Sequence, residues 1–161
     1  MAVFSMNVYG TVIQYRAAKS TTNDCREMTR YILSKQQPGD AAIFFIAAPH
    51  MSFRYYATLA GGERVPKIVI PDFGDAPTGA NPIPSHEEIE VASSAYSRVW
   101  LVLDRNAFNL RPAWKQAAPL VRRALEQNCR LEGEQEIGRF LVSLYVHKYE
   151  VDRSAQPVDS P

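Results

Sequence analysis

Residues 41–47, AAIFFIA, contain no polar side chain, and residues 99–103, VWLVL, repeat that character. A strand with one wet face alternates apolar and polar residues. An uninterrupted run instead suits a strand covered on both faces, as parallel sheets are. A shorter stretch, Lys67-Ile68-Val69-Ile70, reads the same way. These runs constrain the fold more than anything else in the chain, because each demands apolar helices above and below it.

The intervening segments supply such helices. Asp24 followed by Glu27 can cap a helix in which Cys25, Met28 and Ile32 share a face, and Pro38-Gly39 stops it. Ser52, Tyr55, Tyr56 and Leu59 are expected on one face of a second helix ended by Gly61-Gly62. Ser85-His86-Glu87-Glu88 fits a capping box, with Ile89, Ala92 and Tyr96 facing inward. Leu120, Val121, Ala124 and Leu125 form a last stripe, with Pro119 near its first turn and Trp114 in the approach. Strands alternating with helices predict an α/β fold, a Rossmann-like three-layer sandwich on a mainly parallel sheet.

After the last helix the pattern changes. Cys129 to Glu132 alternates apolar and charged, Gly133 and Gly138 bracket an acidic turn, and Phe140 to His147 is β-rich. The chain is therefore expected to close with a C-terminal antiparallel hairpin at one sheet edge. One domain over residues 16–150 accounts for this pattern, with an apolar segment 1–15 before it and a disordered tail 151–161 after it. The loop 71–84, PDFGDAPTGANPIP, has a length that loops adopt when they are functional or mobile.

A net charge of +1 and no basic run longer than Arg122-Arg123 argue against nucleic acid as a partner. Two cysteines cannot build a disulfide framework or a four-thiolate zinc site. The first fifteen residues carry no charge, yet they are shorter than the roughly twenty apolar residues a membrane helix needs and include Asn7, Gly10 and Gln14. They read either as an opening strand or as the last turns of a spanning helix.

The order of several short motifs is more specific than any one of them. Asp24-Cys25-Arg26 leading to Tyr31-Ile32, Pro38-Gly39-Asp40 before an apolar strand, Tyr55-Tyr56, Arg98 to Leu103, Phe140-Leu141-Val142 and Leu144-Tyr145 follow one another. This order resembles the C-terminal soluble domain of polytopic, lipid-phosphosugar-dependent glycosyltransferases, the bacterial and other membrane proteins related to protein mannosyltransferases and aminoarabinose transferases. The resemblance spans about residues 24–147. It implies a membrane-associated location on the extracytoplasmic, periplasmic side; without it the expected location is cytoplasmic. It also implies a membrane-embedded transferase portion, in the same or a separate chain, and a lipid-linked sugar as partners. The family's catalysis is ascribed to acidic residues of the membrane half, so no position here inherits a catalytic role and no cofactor is implied. A non-catalytic accessory domain that helps to position acceptor or lipid-linked sugar is the function expected.

Residue chemistry keeps an alternative open. In an open α/β sheet, ligands bind beyond the carboxyl ends of the strands. His50, Asp72 and Asp104 each follow a different strand, with Arg105 and Asn106 continuing the rim. Such a rim could hold a sugar phosphate or nucleotide, or let His50 act as acid or base in a free-standing small enzyme. Strand ends also carry polar residues merely because they turn into solvent. Tyr55 and Tyr56 offer a stacking surface for a sugar, or a helix face half in the core. His86 beside Glu87, Glu88 and Glu90 lacks the second histidine of a helical zinc motif, so capping explains the acids. No nucleophile elbow, phosphate loop or dinucleotide fingerprint occurs.

Overall fold

A computed structural model describes residues 23–45, 47–61, 65–70, 84–110 and 112–148. The segment 1–15, the loop up to residue 83 with Asp72, and the tail 151–161 lie outside the described residues. Helix α1 (residues 23–35) leads through Pro38-Gly39 into strand β1 (Ala41–Phe45). Then follow α2 (Ala47–Leu59), β2 (Lys67–Ile70), α3 (His86–Ala95) and β3 (Arg98–Asp104). The short α4 (Arg105–Leu110), α5 (Pro112–Asn128), β4 (Cys129–Ile137) and β5 (Phe140–His147) complete the chain.

The five strands form one sheet in the order β2-β1-β3-β5-β4. β1 is parallel to both β2 and β3, whereas β5 is antiparallel to β3 and to β4. The sheet is therefore mixed rather than mainly parallel, because the closing hairpin inserts β5 directly against β3 and so adds a second antiparallel ladder.

The uninterrupted apolar strands find their covers. Ala41, Ile43, Phe45, Val99, Leu101 and Leu103 pack with Ile89 of α3 and with Trp114, Val121, Ala124 and Leu125 of α5. Ala42, Phe44, Trp100 and Val102 point the other way, onto Met28 and Ile32 of α1 and Phe53 and Ala57 of α2. Alternate residues of one strand thus enter two different cores. Pro71 onward being outside the described residues, the register of the β2 end is fixed by Ala41↔Lys67 and Ala42↔Ile68.

Three expectations shift. On α2, Pro49, His50, Phe53 and Ala57 are buried among the described side chains, while Tyr55 and Leu59 face outward. The helix carries two apolar stripes, and the Phe44–Phe53 ring contact at 5.1 Å selects the one that meets the sheet. α5 begins at Pro112, a residue suited to a first helical turn, so Pro119 lies inside the helix and Leu120 is exposed. Pro119 faces solvent, where water can satisfy the carbonyl that its missing N–H leaves unpaired. The hairpin turns at Gly138-Arg139 between the paired Ile137 and Phe140, and Gly133 sits within β4 at a register shift. The acids expected in a turn instead tie the hairpin inward: Glu132 to Arg98, Glu134 to Arg122 and Glu136 to Arg105.

The capping box forms as its sequence predicts. The Glu88 amide donates to Ser85 Oγ at 3.2 Å, and the Ser85 amide donates to Glu88 Oε2 at 2.6 Å.

Candidate functional site

From β1 the chain moves outward to β2 and then crosses back to β3 on the other side of β1. Strand order therefore reverses between β1 and β3, and the carboxyl ends of these two strands form the crevice where open α/β sheets take ligands. Both α2 and α4 begin at this end.

Asp104 is the last residue of β3 and is buried there, its side chain only 5% exposed. Its Oδ2 accepts from Arg139 Nη2 at 3.0 Å, and its Oδ1 accepts from the Asn106 amide at 3.0 Å. Burial raises its pKa above the ordinary carboxylate value, while the Arg139 charge and the backbone amides of Asn106 and Ala107 pull it back. Desolvation prevails.

Arg139 comes from the hairpin turn, which is pinned at several points. Gly138 adopts φ 52°, and a Cβ there would run into the Asp24 carboxylate. The Arg139 amide donates to Asp24 Oδ2 at 3.3 Å, while its carbonyl accepts from the Arg105 amide at 3.0 Å. Arg105 Nη2 also donates to the Gly138 carbonyl at 3.0 Å and pairs with Glu136. Arg105, expected as part of a ligand rim, is thereby a strut between α4 and the hairpin. The guanidinium of Arg139 lies over the Phe140 ring at 5.0 Å, and its buried Nε has no hydrogen-bond partner among the described residues. An arginine so held can still offer that N–H to an anion.

His50 lies one turn into α2, buried, with its ring 6.1 Å from that of Phe44. Burial lowers its pKa, and the nearby Arg54 charge adds to the effect, so the ring is neutral at pH 7. Cys25 of α1 and Ser52 of α2 are within hydrogen-bonding reach, and burial pushes the thiol up, away from the reactive thiolate. Tyr55 and Tyr56 meet edge to face, their centroids 5.1 Å apart, more than a turn beyond His50. Tyr55 is exposed and Tyr56 half-buried. Of the expected rim, Asp104 and Arg105 are adjacent and His50 heads α2, whereas Asp72 lies outside the described residues.

Sequence reasoning missed Arg139 and Asp24 as part of this end. A glycine followed by an arginine between two β-rich runs was the available signal, but their partners lie 115 residues apart in sequence.

The opposite end of the same strands is built differently. Asp40, following Pro38-Gly39, receives Trp100 Nε1 at 2.8 Å, Arg98 Nε at 2.9 Å and the Gln37 amide at 3.1 Å. Arg98 also donates to the Lys35 carbonyl, and Tyr31 sets its ring edge to face with Trp100.

No family model matches the chain, and neither a curated protein nor a solved structure matches it with significance. Among the described residues no helix is long and apolar enough to cross a membrane, and no group of His, Cys, Asp and Glu is placed to hold a metal ion.

Proposed function

We propose that this chain is the extracytoplasmic accessory domain of a membrane-embedded, lipid-phosphosugar-dependent glycosyltransferase, Rossmann-like in architecture and without transfer activity alone. Its crevice at the carboxyl ends of β1 and β3 helps to position the lipid-linked sugar or its acceptor.

One observation carries the reading. The short motifs whose order resembles that family meet in space as structural pieces: Asp40, Arg98, Trp100 and Tyr31 at one strand end, and Asp24 beside the turn that leads into Phe140 at the other. The motifs whose order suggests the family are thus parts of the scaffold of this chain, and the reading rests on that order. Helices on both faces of the sheet support the Rossmann-like description.

Affinity capture of the tagged chain from cross-linked source cells tests the proposal. A polytopic partner with transferase activity is expected in the eluate or as an extension of the same polypeptide. Recovery of the chain alone from the aqueous fraction contradicts it. Deleting residues 74–82 is expected to leave Tm nearly unchanged while abolishing activity of the intact enzyme.

A second reading is favoured by the Asp104–Arg139 pair and the neutral His50 near the strand-order reversal: a free-standing small α/β enzyme or binder of a sugar phosphate or nucleotide. It requires phosphorylated ligands to bind the isolated chain at that crevice.

A further inference from the structure

The carboxyl end of β3 brings one guanidinium close to two carboxylates. Phe140 pairs with Asp104 across the sheet, so the turn Gly138-Arg139 sits directly beyond the end of that strand. From there Arg139 Nη2 reaches Asp104 Oδ2 at 3.0 Å, while the Arg139 amide lies 3.3 Å from Asp24 Oδ2. Asp24, Asp104 and Arg139 all act electrostatically on Cys25, and Asp24 acts on Asp104, so they form one cluster. Arg139 Nε is a further buried donor with no hydrogen-bond partner among the described residues. The guanidinium can therefore make a new bond without first breaking an old one.

The groups that face Asp104 come from three elements. α1 brings Asp24 and Cys25, whose thiol burial keeps protonated and uncharged. The hairpin turn brings Arg139, and α4 brings the backbone amides of Asn106 and Ala107. Arg105 of α4 instead turns its guanidinium to Glu136 and the Gly138 carbonyl. One cation thus serves two acids.

Depth separates those acids. The Asp104 side chain is 5% exposed, whereas Asp24 is half-buried, so Asp104 is the costlier of the two to keep as an anion. Burial accordingly raises its pKa against the pull of Arg139. Once Asp104 is neutral, its bond to Arg139 loses the charge assistance that made it strong. Asp24 is then the better partner.

We propose that Arg139 is a proton-controlled latch: it holds the hairpin turn to the end of β3 while Asp104 is ionised, and passes to Asp24 of α1 when Asp104 takes up a proton. The proposal is independent of the glycosyltransferase reading and needs no ligand.

An acid titration of the full chain by NMR tests it, following the Asp104 side-chain carboxyl carbon and the Arg139 Nε–H signal together. Both are expected to move with one midpoint, above the ordinary carboxylate range because burial raises Asp104. In Asp104→Asn the Arg139 signal is expected to stand, at neutral pH, where the wild type has it in acid. In Asp24→Asn the Asp104 carboxyl still titrates, but the Arg139 response shrinks. An Arg139 signal that stays fixed while Asp104 titrates would overturn the proposal. So would a response of unchanged size in Asp24→Asn, since the transfer requires the second acid. The Val142 and Leu144 amides report whether β5 stays paired, and their loss before Arg139 moves would overturn it too. If Asp104→Asn does not fold, the wild-type titration against Asp24→Asn supplies the same comparison.

Discussion

Two buried aspartates bracket the same pair of parallel strands, and they are treated in opposite ways. Asp40 stands before β1, its side chain 1% exposed, and receives an indole, a guanidinium and a backbone amide, all within 3.1 Å. Asp104 closes β3, nearly as buried, but its Arg139 partner keeps a buried Nε unpaired and the negative Asp24 lies close enough to raise its pKa further. The amino end of the strands is a closed clamp. The carboxyl end keeps a buried donor, Arg139 Nε, unpaired among the described residues.

The comparison breaks first if Asp40 is dispensable. Asp40→Ala leaves Trp100 Nε1, Arg98 and the Gln37 amide without their acceptor, and the expected loss is about 3–5 kcal/mol, read by urea denaturation. A loss under 1 kcal/mol would show that the clamp holds little. Gly138→Ala comes next. It forces an L side chain into the left-handed region against Asp24, and about 1–2 kcal/mol is expected to be lost, with Arg139 displaced.

Asp104→Asn sharpens the contrast. The amide keeps an acceptor for the Asn106 N–H and removes a buried charge, so stability at pH 7 is expected to change by about 1 kcal/mol or less. Because the folded pKa of Asp104 is raised, the native state binds more protons than the unfolded chain just above the ordinary carboxylate pKa. The wild type then gains stability relative to this variant as pH falls through that window. A matched pair of pH titrations of Tm reads the difference.

His50 produces the smallest effect and the opposite sign. Its folded pKa is depressed, so the unfolded chain binds the extra proton and stability falls as pH drops below about 6.5. His50→Leu is expected to flatten that decline between pH 7 and 5. An unchanged slope would mean that the ring is not the group that titrates.

What was legible in the sequence follows the range of the interactions. The apolar runs of β1 and β3 announced strands buried on both faces, and Ser85 with Glu88 announced a helix start, because both signals are local. The rotation of α2 was not legible. Met51, Tyr55 and Leu59 repeat as regularly as the pair Phe53 and Ala57, and only contact with Phe44 chooses between the stripes. The hairpin turn was misplaced because glutamates read as a solvated loop, whereas arginines from β3, α4 and α5 draw them onto the strand. His50 and Asp104 were visible as strand-end polar residues, but Arg139 was not, since its role depends on a turn folded back beside α1.

The division between the two strand ends is tested most directly by backbone NMR of the full chain titrated with a hexose 1-phosphate. The account expects amide shifts at residues 48–52, 104–106 and 138–139, with none at Asp40, Arg98 or Trp100. Shifts confined to the Asp40 end, or no shift anywhere across a panel of phosphorylated sugars, would contradict it.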